Sequence, residues 1–148
     1  MAAVDVTTEI EIARPVTEVA AYTTDPESAP EWYDNIRSVE WRTAPPVQVG
    51  SVFAFVARFL GRTLAYDYEV VDLVPNARLV MRTSAGPFPM ETTYTWTPTA
   101  EGTRMVLRNR GTPAGFSRLA APLMVPAMRR ANRKDLAKLR SILEARST

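Results

Sequence analysis

The side chains that could carry acid–base chemistry in this chain are carboxylates, tyrosines and basic residues, because its 148 residues include no His and no Cys. An imidazole base, a cysteine nucleophile and a Ser-His-Asp triad are therefore excluded. Zinc sites rely mainly on His and Cys, so we expect no metal and no other cofactor. Any catalysis would have to use Asp, Glu, Tyr, Arg or Lys.

Asp67 and Glu69 are the carboxylates whose spacing best suits chemistry. They lie two residues apart in a segment of strand character, so their side chains share one face, and paired carboxylates are a common acid–base arrangement. Aromatic and apolar residues alternate with them, which places both carboxylates on the outer, solvated face. Glu91 is placed in the same way. A register error of one residue would instead make all three catalytic candidates, with Arg82 as an oxyanion stabiliser.

Large aromatic residues and methionines alternate along several segments and would face the interior. On the inner face of a sheet such residues usually form ordinary core. However, Tyr66, Tyr94 and Trp96 carry polar groups that need hydrogen-bond partners when buried, and a ligand could supply them. Phe88 and Phe116 occupy turns containing Gly and Pro and could form a gate, a dimer contact or part of a rigid cap over the core. The predicted cavity lining is Trp32, Phe53, Phe55, Phe59, Tyr66, Tyr68, Met81, Phe88, Met90, Tyr94, Trp96, Phe116, Met124, Met128 and Asn132.

The elements that would position these residues follow from the hydrophobic period. The first segment, 4–12, alternates apolar and polar residues, which is typical of a half-buried strand. Two short helices follow, signalled by Pro15 and by Asp25-Pro26, because Pro suits the first turn of a helix. Turns rich in Gly and Pro then separate six further predicted strands, at 36–43, 51–60, 63–74, 78–84, 90–98 and 103–110.

The last third of the chain changes to a helical period, which Pro122 and Pro126 interrupt. A proline inside a helix costs about 3 kcal/mol, so we predict a short helix or turn over 116–124 and a long helix from Pro126 to about Ala145. Its apolar stripe must be buried against the concave face of the sheet. Asn132 lies on this stripe and would be either a cavity residue or a satisfied core amide. The stripe consists of Met128, Leu136, Leu139 and Leu143.

Charge is distributed unevenly along the chain. Residues 1–100 carry 13 acidic and 7 basic side chains, a net charge of −6, and residues 101–148 carry 3 acidic and 11 basic ones, a net charge of +8. The basic part could bind an anionic partner or neutralise an acidic sheet, and we favour neutralisation because charge runs are usually solvated or internally paired. The basic residues lack interleaved aromatics, so we expect no nucleic-acid partner.

We expect one cytoplasmic domain over residues 1–148. The length suits a single hydrophobic core. The sequence contains no run of 18 apolar residues that could span a membrane. Its N-terminus lacks the basic start and apolar stretch of a secretory signal.

The order of elements and three local motifs resemble the START-like superfamily, also called SRPBCC, which includes polyketide cyclases and dehydratases. The motifs are 10–19 with Asp25-Pro26-Glu27 and Trp32, then 68–72 with Pro75 and Arg78, then 93–98 with 102–104. The resemblance covers nearly the whole chain. It implies an α+β helix-grip fold, with a curved seven-stranded antiparallel sheet, two short helices and a long C-terminal helix. It also implies a cavity, since members bind lipids, sterols, polyketides and hormones, but it supplies no common catalytic residues.

These observations together predict a monomer or homodimer that binds a hydrophobic or aromatic small molecule, lipid or polyketide-like, between the sheet and the C-terminal helix. One alternative is a cofactor-independent cyclase or dehydratase, which an inward-pointing Asp or Glu would favour. A second alternative is a lipid carrier that docks on a membrane surface through 119–128 and through Arg129, Arg130, Arg133 and Lys134.

Overall fold

The computed structural model describes residues 4–59, 61–83, 89–112 and 116–146, without the side chains at 59, 62, 64 and 116–121. The elements are β1 (Val4–Ile12), α1 (Val16–Thr24), a 3-10 turn (Pro26–Ser28), α2 (Ala29–Trp32), β2 (Ile36–Trp41), β3 (Val52–Phe59), β4 (Arg62–Val74), β5 (Arg78–Thr83), β6 (Met90–Pro98), β7 (Thr103–Gly111) and α3 (Phe116–Glu144).

The seven strands form one antiparallel sheet in the order β1-β7-β6-β5-β4-β3-β2. The strands from β2 to β7 make a meander, and β1 pairs with β7 at the far edge. Bulges interrupt β2 between Ile36 and Ser38, and β4 between Val70 and Asp72. The sheet curls into a half-barrel with α3 as the long C-terminal helix, so the predicted helix-grip fold is confirmed.

Burial alternates along the strands as the period of two requires. In β1 and β7 every second side chain is buried or nearly so, and the intervening ones are largely exposed. Asp67 and Glu69 are exposed, and Arg42, which directly follows β2, donates to Asp67 over 3.3 Å. The prediction that these carboxylates lie on the outer face is confirmed.

The main hydrophobic core lies between the concave face and the C-terminal part of α3. Leu136, Leu139 and Leu143 are at most 1% exposed and join the main core cluster of sheet and α1 residues. A buried leucine contributes about 1.5–3 kcal/mol relative to an exposed one, so these three anchor the helix. A second, smaller cluster groups Val4 and Val6 with Met90, Met124, Val125 and Met128.

The predicted break in the C-terminal helix is wrong, because α3 is continuous from Phe116 to Glu144 with Pro122 and Pro126 inside it. Both prolines are exposed, so carbonyl groups that lose a helical hydrogen bond there can be solvated by water. The second cluster holds the neighbouring Met124 and Met128 on the sheet. Tertiary packing thus offsets the local cost of the prolines.

Part of the charge asymmetry is neutralised between two strands. Arg108 on β7 lies 2.7 Å from Asp5 on β1, and Arg104 lies 3.1 Å from Glu11. In the described part of the chain, no basic residue of α3 between Arg129 and Arg140 forms an ion pair with the sheet. Within the basic part of the chain, strand β7 therefore provides these ion pairs to β1. No helix within the described ranges is long and apolar enough to cross a membrane.

Candidate functional site

Polar side chains occupy the concave face at the border between the two apolar clusters. Thr92 on β6 is paired in register with Asn109 on β7, and its Oγ1 donates to Asn109 Oδ1 over 2.9 Å. The neighbouring strands add Thr8 and Thr83, and α3 adds Asn132; all five are buried. Burying polar groups costs free energy unless they are hydrogen-bonded. Apolar side chains at the same positions would avoid that cost, so stability alone does not require polar ones.

Three tyrosine hydroxyls lie beside this polar border. The Tyr33 and Tyr94 hydroxyl oxygens are 2.6 Å apart. Burial raises the pKa of the Tyr68 hydroxyl, and the neighbouring Thr92 side chain acts in the opposite direction. Burial raises the pKa of all three tyrosines above the ordinary value, so they stay neutral hydrogen-bonding groups at physiological pH.

Asp135 of α3 adds a carboxyl group to the same region. It is 5% exposed, and its Oδ1 accepts the backbone N–H of Asp34 over 3.2 Å, which ties α3 to the segment after α2. Burial raises its pKa to about 6, although the Asp34 N–H and the nearby Lys134 and Lys138 act in the opposite direction. Burial is the main cause of the raised pKa of Tyr33 and Tyr94, and the Asp135 carboxyl acts in the same direction.

We expect Asp135→Asn to stabilise the protein at neutral pH but not in acid. The folded protein keeps the Asp135 proton up to about pH 6, whereas an unfolded chain loses it near pH 3.9. Folding therefore takes up a proton between these values, and the contribution of Asp135 to stability falls as the pH rises through them. Asparagine can still accept the Asp34 N–H and has no charge to bury.

The difference in the free energy of unfolding between Asp135→Asn and wild type should therefore grow from near zero at pH 4 to about 1–2 kcal/mol at pH 7.5, allowing for partial solvent screening. Urea denaturation at several pH values measures it. Other carboxylates cancel in the comparison, because both proteins share them. A difference that is constant over this pH range would contradict a raised pKa for Asp135 in the folded protein.

Two buried donors near the tyrosines have no hydrogen-bond partner among the described residues. They are Trp32 Nε1 and Asn132 Nδ2. The Trp32 ring is fully buried, with its centroid 4.0 Å from that of Tyr33 and 5.9 Å from that of Tyr94. Asn132 lies three residues before Asp135 on the same helix face. The Trp32 ring therefore packs against the two tyrosine rings, and Asn132 lies one helical turn before Asp135.

The structure brings together only some of the predicted cavity residues. Tyr66 and Tyr68 are half-buried on β4, and Tyr68 packs edge-on against Phe55, with ring centroids 5.4 Å apart. Phe53, Met81, Tyr94 and Trp96 belong to the main core cluster, together with Phe55 and Trp32. Met90, Met124 and Met128 belong to the second cluster. Phe88 and the side chains of Phe59 and Phe116 lie outside the described residues, so the predicted gate is not described.

Trp96 does not need a ligand to satisfy its indole N–H. Its Nε1 donates to Thr23 Oγ1 of α1 over 3.0 Å, and Thr23 in turn donates to Val19 O over 2.8 Å. Trp96 is thus a hydrogen-bonded core residue, and its buried N–H gives no support to a cavity. Tyr94 likewise has a protein partner in Tyr33.

Tyr33 and Asp135 are the two residues that the sequence analysis missed. Tyr33 directly follows α2, and no alternating strand pattern singles it out. Asp135 lies between Asn132, Leu136 and Leu139 on the buried face, but it is surrounded in sequence by basic residues that indicated a solvated surface. Its helical spacing from Asn132 and Leu139 was the signal that could have found it.

Two grooves of about 500 Å³ each lie elsewhere, along α1 and the 3-10 turn. One is lined by residues that include Ala20, Trp41, Val47 and Leu73, and the other by residues that include Glu18, Tyr22, Glu31 and Arg146. Neither contains Tyr33, Tyr68, Tyr94 or Asp135. They are therefore separate from the polar border on the concave face.

Comparison with known proteins shows consistent sequence and fold similarity. The sequence model of the family described as polyketide cyclase / dehydrase and lipid transport matches residues 3–144. TTHA0849 from Thermus thermophilus has a similar structure, with a TM-score of 0.80 at 23% identity over 97% of this chain and 99% of that one. No curated protein matches the chain.

Two biosynthetic proteins have the same fold. The di-domain ARO/CYC protein BexL from the BE-7585A biosynthetic pathway matches with a TM-score of 0.78 at 18% identity, over 97% of this chain and 50% of that one. StfQ, a di-domain ARO/CYC protein from the steffimycin biosynthetic pathway, matches with a TM-score of 0.76 at 17% identity, over 93% and 49%. This chain thus spans about half of each di-domain protein, and at these identities the likeness is one of fold.

Proposed function

Because the chain belongs to the polyketide cyclase / dehydrase and lipid transport family, we propose that it binds one hydrophobic or aromatic small molecule between the concave face of the sheet and α3. The ligand would contact Tyr33, Tyr68 and Tyr94 with its polar groups. Its apolar body would lie toward Phe55 and toward the methionines of the second cluster.

The observation that carries this proposal is the unusual environment of Tyr33 and Tyr68. Both side chains are only half-buried, yet burial raises the pKa of each hydroxyl. Accessible surface on a side chain whose hydroxyl is shielded from water supports the proposal of a recess at this face. A recess with apolar walls and a few convergent polar groups is typical of small-molecule sites.

Native mass spectrometry of the purified protein tests the proposal. We expect a population heavier than the bare chain by the mass of one small organic molecule, and that excess should disappear under denaturing conditions. Bound molecules extracted into organic solvent should be recovered in about equimolar amount. A bare chain that also fails to take up an added excess of an apolar naphthalene probe would contradict the proposal.

A cyclase- or dehydratase-type enzyme is the second candidate, and Asp135 is the observation in its favour. It is an inward-placed carboxyl whose pKa of about 6 leaves it mostly ionised at neutral pH, where it could remove a proton next to a carbonyl group. The hydroxyls of Tyr33 and Tyr94 could donate to the resulting enolate oxygen. Faster deuterium exchange at C2 of a bound 1,3-diketone, lost in Asp135→Asn, would favour the enzyme over a simple binding protein.

A membrane-surface lipid carrier has one observation in its favour, the exposed outer face of α3. Leu123 is 78% exposed, and Arg130, Arg133 and Lys134 are exposed on the following turns. An apolar side chain beside basic ones suits an anionic membrane surface. Sedimentation with phosphatidylserine vesicles that weakens as salt rises, and that Leu123→Ala reduces, would favour this carrier.

A further inference from the structure

The outer face of α3 combines an exposed apolar side chain with basic ones. Leu123, Ala127, Arg130 and Lys134 follow one another at spacings of four, three and four residues, so they share one face of the helix, opposite the buried leucines. All four are exposed, and Leu123, at 78%, is the most exposed large hydrophobic residue in the described part of the chain. Neither Arg130 nor Lys134 forms an ion pair with a described residue.

The two grooves along α1 offer a surface with the complementary pattern. One of them, the apolar groove, is lined mainly by apolar residues, which include Trp41, Val47 and Leu73. The other, the acidic groove, includes Glu18 and Glu31. Ala21, Asp25 and Glu27 line both grooves, so the two adjoin at these residues. An apolar surface therefore passes directly into an acidic one.

The carboxylates where the grooves meet lack basic partners. Asp25, Glu27 and Glu31 are exposed, and within the described ranges none of them forms an ion pair. Arg146 lines the acidic groove, but its guanidinium lies over the Tyr22 ring, 4.5 Å from the centroid. Further positive charge is therefore attracted to this surface.

We propose that the outer face of α3 in one copy of the chain docks in the grooves of a second copy. Leu123 enters the apolar groove, and Arg130 and Lys134 lie toward the carboxylates of Glu27 and Glu31. Each copy carries both surfaces, so the contact can form twice about a two-fold axis and close a homodimer. An anionic membrane would attract the same basic residues, but it would leave the acidic groove without a partner.

The dimer is expected to be weak and sensitive to salt. Burial of Leu123 and of the apolar groove favours association, and exposed ion pairs add a small contribution that salt screens. The inference goes beyond ligand binding and does not depend on it, because the grooves and the outer face of α3 are separate from the concave face.

Charge exchange tests the contact by sedimentation equilibrium of the full chain. Wild type should form a dimer whose dissociation constant rises with salt. Glu27→Lys and Arg130→Glu should each weaken the dimer about tenfold, because each replaces an attraction with a repulsion. Both changes in one chain should return the dissociation constant to within about threefold of wild type. The matched control combines Arg130→Glu with Glu69→Lys, which gives the same net charge, but Glu69 is exposed on the outer face of β4, so this dimer should stay weak.

Cross-linking tests where the two copies meet, since the chain has no cysteine of its own. A mixture of the Leu123→Cys and Val47→Cys proteins, treated with a short bis-maleimide, should give a dimer in which position 123 of one copy is joined to position 47 of the other. A mixture of the Leu123→Cys and Glu69→Cys proteins should give far less product. Mass spectrometry of the digested dimers identifies the joined positions.

The inference is overturned if wild type stays monomeric at high protein concentration and low salt. A dimer that neither Glu27→Lys nor Arg130→Glu weakens, or that the double exchange does not restore, would also overturn it. A monomer that sediments with phosphatidylserine vesicles, and loses this binding in Leu123→Asp, would assign the outer face of α3 to a membrane instead. None of these results bears on ligand binding at the concave face, which native mass spectrometry tests separately.

Discussion

Tyr68→Arg should weaken the binding of an apolar fluorescent probe at least a hundredfold, while wild type binds the probe at one saturable site. Tyr68 is half-buried, and its hydroxyl lies near Thr92 on the concave face. Arginine there would place a positive charge and a longer side chain in the space proposed for the ligand. Desolvating an unpaired charge costs several kcal/mol, and a hundredfold loss corresponds to about 2.7 kcal/mol.

Glu69→Arg is the matched control, because Glu69 is the next residue of β4 and is exposed on the outer face. It introduces the same side chain on the same strand and should leave probe affinity within about twofold. Fluorescence titration measures the probe affinity of both variants, and circular dichroism verifies that they are folded. If both variants bind the probe as wild type does, the ligand does not occupy the concave face.

Leu139→Ala should lower the free energy of unfolding by about 2.5–5 kcal/mol, since a buried leucine leaves a cavity when truncated. Leu139 is fully buried where α3 meets the main core, and cavity cost adds to lost transfer free energy. Leu123→Ala removes the same atoms from the same helix, but Leu123 is 78% exposed. Its effect should stay below about 0.5 kcal/mol. Urea denaturation of both variants gives the comparison.

Equal effects of the two substitutions would contradict the placement of α3. A large effect at Leu123 alone would mean that the helix presents the opposite face to the sheet. The two substitutions sample both parts of α3. Leu123 lies between Pro122 and Pro126, whereas Leu139 lies beyond both prolines.

The sequence was sufficient to predict which residues of each strand face inward. The side-chain period of a strand is two, so Phe53 and Phe55 on one side and Asp67 and Glu69 on the other followed directly from alternation. From β2 to β7 the antiparallel meander pairs each strand with its neighbour in sequence, whereas the pairing of β1 with β7 does not follow from this rule. Local pattern and tertiary structure agree here.

The sequence was not sufficient where tertiary contacts decide. The prolines of α3 predicted a break because local propensity disfavours them, but Met124 and Met128 pack on β1 and hold that segment helical. Asp135 is buried beside Asp34, which is 101 residues away in sequence, so no local pattern could reveal their hydrogen bond. The partner of Trp96, Thr23, is similarly distant.

Methionine methyl NMR of the protein with a bound naphthalene probe tests the central claim most directly. The chain has six methionines, and Met90, Met124 and Met128 lie together in the second cluster, whereas Met105 is fully buried in the main core. With methyl-labelled methionine, we expect the probe to shift the Met90, Met124 and Met128 signals and to give nuclear Overhauser contacts to them, while Met105 stays unchanged. A probe that binds stoichiometrically without shifting any of these three signals would contradict a site between the sheet and α3.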